Sequence, residues 1–270
     1  SRVARLEKQI QGRDQGDTVL RQVREDPAQI MTLAGLEADP WQVEILQSDA
    51  IQSLLLASRQ AGKSQVAAAL ALKAALLKST SLTLLLSPTQ RQSGELFRDK
   101  VLKLYNSLDR PIKTRQESAL QMSLINGSRI ISLPGEEGTI RGYSSVDLLI
   151  IDEAARVSDS LYYSVRPMLA VSKGRLVALS TPFGKRGWFH DSWVSTDQWQ
   201  RVKITADQCP RITESFLNEE RRALGDRWYR QEYQCSFEAT TDAVFAYEDI
   251  QAALSDEVQP LFPTSEVIDE

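Results

Sequence analysis

The stretch ASRQAGKSQVAAALAL, residues 57–72, decides how the rest of the chain is read. It follows the apolar run SLLLAS (53–58) and passes into an alanine-rich segment of high helical propensity. A Gly62-Lys63-Ser64 sequence between a buried-type strand and a helix start is the setting that a phosphate-binding loop requires. Successive backbone N–H groups there, with the positive end of the helix, can wrap a triphosphate. Lys63 would reach the β and γ oxygens, and the Ser64 hydroxyl would ligate Mg²⁺. Gly62 lets the backbone come close to the phosphate. Ser58, Arg59, Gln60 and Ala61 complete the loop, which has Ala57 where the usual first glycine stands.

A second stretch supports the first. Leu148-Leu149-Ile150-Ile151-Asp152-Glu153 is an apolar strand ending in two carboxylates. Packing gives no reason to put paired charges at the end of a strand buried on both faces, because buried charge is costly. That end is where open α/β sheets bind ligands. Asp152 suits the Mg²⁺ shell, and Glu153 suits the base that polarises an attacking water. Together the two stretches read as an ATP or GTP hydrolase. Ser180-Thr181-Pro182 closes the next apolar strand, where small hydroxyls would lie near the γ-phosphate and sense its loss. Ser87-Pro88-Thr89 ends another strand in a similar way.

Further out, the apolar runs LTLLLS (82–87), RIISL (129–133), VDLLIID (146–152) and RLVALST (175–181) alternate with helical stretches. Short continuous apolar strands separated by helices predict an α/β fold with a mostly parallel central sheet flanked by helices. Leu120 to Ile125, Asn126-Gly127 and then RIISL predict a hairpin, with Asn-Gly suiting a type I′ turn. After Val202-Lys203-Ile204 the strand signal stops. Residues 213–238 read as helices broken at Leu224-Gly225-Asp226, which supplies a C-cap glycine and an N-cap aspartate. The expected organisation is a weakly packed helical leader (1–36), a P-loop core (37–205), a small helical segment (206–250) and a linker (251–270). The opening Ser1-Arg2 and the tail PLFPTSEVIDE read as cut points.

Composition sets bounds. The 270 residues are 25% charged and 42% apolar with net charge −4, which excludes collagen-like and disordered classes. No run approaches the roughly 20 apolar residues of a bilayer span. Two cysteines, Cys209 and Cys235, and one histidine, His190, exclude a disulfide framework and a Cys-rich metal site. A net acidic chain would contact nucleic acid only locally. Lys185-Arg186 and Arg221, Arg222, Arg227 and Arg230 are candidates for such contact, although solvated helix faces explain them better.

Taken together, these residues resemble the ATPase domain of the terminase large subunit, the DNA-packaging motor of tailed bacteriophages. The resemblance rests on Arg59-Gln60-Ala61-Gly62-Lys63-Ser64, Asp152-Glu153-Ala154-Ala155 and Ser180-Thr181-Pro182. It also rests on Pro40-Trp41-Gln42, Arg141-Gly142, and the closing segment Gln231-Glu232-Tyr233 through Phe237 with Val244-Phe245. That segment looks like the family's C-terminal lid, which makes the helical segment 206–250 a lid. It implies ATP and Mg²⁺ as cofactors, Gln42 against adenine, and Ser180-Thr181-Pro182 coupling hydrolysis to motion. It also implies a catalytic arginine, either Arg59 or, from a neighbouring subunit, Arg141. Trp41 reads equally well as a core aromatic.

The partners implied are double-stranded DNA, a portal protein on a capsid precursor, a terminase small subunit, and further copies of the chain in a ring. The setting implied is the host cytoplasm. Family members carry a C-terminal nuclease, and nothing in these residues supplies its acidic ligands. Two other readings compete: a helicase-like translocase, which would need a second ATPase-like domain, and a nucleotide-gated scaffold, which would not need Glu153.

Overall fold

The computed structural model describes residues 2–135, 140 and 142–239, with side chains from residue 14 onward. Arg141, Val244 and Phe245 lie outside the described residues, as does the stretch assigned to a linker.

Eight strands form one sheet in the order β3-β4-β5-β2-β6-β7-β1-β8. The strands are β1 (Gln52–Ala57), β2 (Leu82–Ser87), β3 (Thr114–Glu117), β4 (Gln121–Leu124), β5 (Arg129–Pro134), β6 (Leu148–Asp152), β7 (Arg175–Ser180) and β8 (Gln200–Ile204). Six of them run parallel, and β3 and β4 join antiparallel at one edge. The central strands are buried along nearly their whole length, so both faces need cover.

Alternation along the strands decides which residue meets which layer. Leu55, Ala57, Leu85, Ile150 and Leu179 face the layer of helix α4 (Lys63–Leu77) and form one core cluster with it. Leu54, Leu56, Leu84, Leu86, Leu149, Ile151 and Ala178 face the opposite layer, with Leu161, Trp188 and Phe189. Helix α4 is buried almost all round, from Val66 to Leu72, which its Ala- and Leu-rich sequence permits.

Three sequence expectations change. The leader is not weakly packed from residue 19 onward. Helix α1 (Arg2–Glu25) puts Val19 and Val23, and helix α2 (Gln29–Thr32) puts Ile30 and Met31, into the α4 cluster. The hairpin forms, but not on a type I′ turn. Gly127 N donates to Leu124 O (3.0 Å), and positive φ occurs at Gly127 (84°) but not at Asn126. This is a type I turn followed by a left-handed glycine, with Leu124 N closing on Ser128 O at 2.8 Å. Finally, the helical segment after residue 213 ends at Tyr233, well before residue 238, although it does consist of two helices. The break expected at Gly225 (φ 75°, ψ 162°) is present as a kink between them.

Candidate nucleotide site at the carboxyl edge of the sheet

The loop between β1 and α4 is held from three sides. Ser58 is fully buried, and its N–H donates to Ile204 O on β8 at 2.8 Å. Arg59 N donates to Glu232 O at 3.0 Å, and Arg59 Nε to Glu232 Oε2 at 2.7 Å, which ties the loop to the lid helix. Gln60 takes a left-handed conformation (φ 60°), and Ala61 is buried. Gly62 caps α4 at φ 93°, a conformation that side-chain-bearing residues rarely adopt, and a Cβ there would also press on Gln42 Nε2 at 2.7 Å, so glycine is strongly favoured. Lys63 is buried, and its ammonium donates to Ser58 O (3.0 Å) and Ala57 O (3.4 Å). The lysine thus lies within the curl of its own loop, with its charge on the loop's carbonyls.

Gln42 belongs to the support of this loop. Helix α3 (Pro40–Gln47) starts with a capping box in which Asp39 N donates to Gln42 Oε1 at 2.9 Å. The Gln42 amide nitrogen donates to Gly62 O at a long 3.4 Å. Asp39 also receives both terminal nitrogens of Arg211, at 2.8 and 2.6 Å. A buried carboxylate held in a fork like this is a strong, directional contact. It fastens the segment before α3 to the chain leading into the lid. Trp41 sits in the α4 core cluster, which favours its reading as a core aromatic.

The acidic strand brings its carboxylates to the same place. Ser64 Oγ donates to Asp152 Oδ2 at 3.1 Å, and Glu153 N donates to Asp152 Oδ1 at 3.1 Å. Burial pushes the Asp152 carboxyl up to about 6, and the neighbouring Glu153 adds to this, while Lys63 pulls the other way. Glu153 is held left-handed (φ 51°, ψ 42°), a conformation that costs a non-glycine residue on the order of 1 kcal/mol or more. Arg156 approaches Glu153 at 3.8 Å while lying over the Phe183 ring at 4.3 Å. Next to it, Ser180 Oγ accepts from Ala155 N at 3.1 Å. The end of β7 is therefore bonded directly to the turn that carries Glu153. Thr181 and Pro182 continue this end as buried residues.

A serine hydroxyl and a carboxylate, 3.1 Å apart, are hard oxygen donors of the kind Mg²⁺ takes. Among the described residues no group of three or more His, Cys, Asp or Glu side chains could hold a metal by itself. That suits an ion whose remaining ligands come from phosphate and water.

Sequence reasoning missed Asp39, Arg211 and Arg156, and named Glu232 only as part of the closing segment. Asp39 was accessible in principle as an N-cap before Pro40, and Glu232 as a charge in a predicted helix that the fold buries. Four other flagged residues make contacts within the fold. Cys235 donates to Ile204 O (3.2 Å), and burial raises its thiol to about 12, which leaves no thiolate to react. His190 packs edge-on against Phe237 at 5.0 Å. Arg221 pairs with Asp226 at 2.8 Å and Arg230 with Glu238 at 2.9 Å, so these lid arginines are neutralised within the lid itself.

A mostly parallel sheet, a loop cradling a lysine at the start of α4, and an acidic strand two places away define a P-loop NTPase fold. Residues 54–252 match the family model described as terminase large subunit, T4likevirus-type, N-terminal, and the chain belongs to that family. A curated relative, the terminase large subunit of Escherichia phage T5, is 26% identical over 144 residues. The match covers 50% of this chain and 33% of that protein, so the chain spans about a third of the relative's length. Among solved structures, the large terminase ATPase domain of Thermus phage P74-26 superposes with a TM-score of 0.67 at 22% identity, covering 77% of this chain and 97% of that one. The large terminase of the HK97 bacteriophage gives 0.57 at 15% identity, over 80% of this chain and 50% of that one. These likenesses establish the fold. Among the described residues no helix is long and apolar enough to cross a membrane.

Proposed function

We propose that this domain is an Mg²⁺-dependent ATPase that drives double-stranded viral DNA into a preformed capsid. The observation that carries the reading is the contact between Ser64 and Asp152, which joins the loop helix to the acidic strand across β7. In this reading Ser58 to Ser64 bind the phosphates, with Lys63 turning from its loop carbonyls to the β and γ oxygens. Ser64 and Asp152 would hold Mg²⁺, which when bound neutralises phosphate charge during transfer. Glu153 takes the proton of the attacking water. Gln42 reaches the adenine by exchanging its long bond to Gly62 O for one to the base. Ser180-Thr181-Pro182 transmits loss of the γ-phosphate, since Ser180 is bonded to the turn that carries Glu153. Arg59, tied to Glu232, links loop and lid. We assign the catalytic arginine to Arg141 of a neighbouring copy, with Arg59 positioning the loop. This requires a ring of copies, which in this reading docks on a portal protein of a capsid precursor in the host cytoplasm and is fed by a terminase small subunit.

Complementation tests the site and the ring together. Lys63→Ala should lose ATP binding in a calorimetric titration, and Arg141→Ala should keep it. Each variant alone should be nearly inactive, because an arginine finger contributes ~10³–10⁵ in rate. Mixed, they should recover part of the turnover. Undiminished ATP affinity in Lys63→Ala would remove the phosphate-loop assignment. A dead mixture, with specific activity independent of concentration, would move the arginine to Arg59.

A further inference from the structure

Strand β2 carries two hydroxyls on the face toward α4, and neither has a hydrogen-bond partner among the described residues. Thr83 Oγ1 and Ser87 Oγ are both fully enclosed. An unpaired buried hydroxyl lowers stability, so its persistence asks for a use.

The two differ in where the sheet puts them. Leu85 of β2 stands level with Ile150 of β6, and both side chains belong to the α4 cluster. Two residues on, by the same alternation, Ser87 stands level with Asp152 and faces the same way. Asp152 does point toward α4, since it receives the Ser64 hydroxyl. Thr83 lies one strand turn deeper than Leu85, among apolar side chains. The Asp152 carboxylate already accepts from Ser64 Oγ and Glu153 N. Ser87 Oγ makes no direct bond to Asp152, and at the ordinary strand spacing of about 4.8 Å one bridging water can join the two side chains.

We infer that Ser87 is a positioning residue whose hydroxyl holds a water beside Asp152, in the shell around the bound Mg²⁺. This rests on the ATPase reading above. Thr83 is the built-in control, having the same orphan hydroxyl on the same face with no carboxylate level with it.

The test uses the whole chain with Ser87→Ala, Ser87→Thr and Thr83→Val. Without nucleotide, Ser87→Ala and Thr83→Val should each keep or raise Tm, by up to about 4 °C, since each removes an unpaired polar group. A fluorescent ATP analogue should bind Ser87→Ala about 3–10-fold more weakly in Mg²⁺, the range expected for one lost hydrogen bond, and equally well in EDTA. The Mg²⁺ concentration for half-maximal turnover should rise by a similar factor. Thr83→Val should match the parent in both, and Ser87→Thr, which keeps the hydroxyl, should recover most of the loss. Unchanged Mg²⁺ dependence in Ser87→Ala would overturn the inference. So would a clear drop in its Tm, which would reveal a structural partner. If the parent chain itself fails to bind the analogue, the ATPase reading falls and this inference falls with it.

Discussion

The two ends of the parallel sheet are both rich in half-buried polar groups, and they use them differently. At the amino edge, where β1, β6 and β7 begin, most of the charged groups bond to backbone, although Arg175 Nε has no partner among the described residues. Lys73 Nζ donates to Leu46 O at 2.6 Å, and Arg175 donates to Ser48 O at 2.8 Å and Ile45 O at 3.4 Å. Asp147 takes Leu82 N at 2.8 Å and Lys78 Nζ at 2.5 Å. These cations satisfy the last carbonyls of α3, a favourable place for positive charge. Burial nonetheless holds the Lys73 and Arg175 pKa values below their ordinary range, so the arrangement carries a desolvation penalty while it fastens α3 to the sheet.

At the carboxyl edge the same kinds of group are only partly used. Ser87 lacks a partner among the described residues and Asp152 is raised toward neutrality, while left-handed residues occur at both edges, Gln60 and Glu153 here and Thr80 and Lys173 at the other. Polar groups committed to backbone hold a fold together, and those kept from it are available to a ligand. This contrast predicts where substitutions harm activity and where they harm stability.

The largest difference should come from Asp152→Asn. Turnover should fall on the order of 100-fold or more, because the carboxylate proposed to hold Mg²⁺ loses its charge. The pH dependence follows from the raised carboxyl. In the unliganded parent, Asp152 favours folding while protonated, and that contribution is lost as pH rises from about 4 through about 6. Asp152→Asn should therefore gain stability relative to the parent above pH 6 and not below pH 4, measured by urea unfolding across pH. Mg²⁺-dependent nucleotide binding in the parent should weaken as pH falls through 6. A flat difference between the two proteins would mean that Asp152 is not the group described.

Arg175→Met should show the opposite pattern. It leaves carbonyls at the end of α3 without donors, so unfolding should reveal a loss of about 2–3 kcal/mol. Turnover per folded molecule should stay within about twofold of the parent. A selective loss of turnover with stability intact would erase the distinction between the edges. Glu232→Gln should have the smallest effect. Arg59 is 60% exposed, so its ion pair contributes only about 0.5–1 kcal/mol after screening. ATP binding should change less than threefold, with a small shift in the salt dependence of turnover.

How legible each region was depends on how local its determinants are. The parallel strands announce themselves because burial on both faces demands continuous apolar runs, as in Leu82–Ser87 and Leu148–Asp152. The phosphate loop and acidic pair are equally local. β3 went unseen because Thr114–Glu117 is a polar edge strand, mostly exposed, with no apolar alternation to detect. The turn at Asn126-Gly127 was misjudged because Ile125 and Ser128 also belong to the loop, which widens it beyond two residues. The contacts that brace the site, Arg59 with Glu232 and Arg211 with Asp39, join residues 173 and 172 positions apart, and only the folded sheet makes them neighbours. The packing of Ile30 and Met31 in the main core is likewise a tertiary fact that a mixed-charge leader conceals.

The central claim is that the carboxyl edge hydrolyses ATP through Glu153, and one variant tests it most directly. Glu153→Gln preserves shape and hydrogen bonding and removes basicity. ATP affinity, measured by calorimetry in Mg²⁺, should stay within a few-fold of the parent, while phosphate release falls on the order of 100-fold or more. Turnover near the parent's, with affinity equally intact, would show that another group activates the water and would contradict the account.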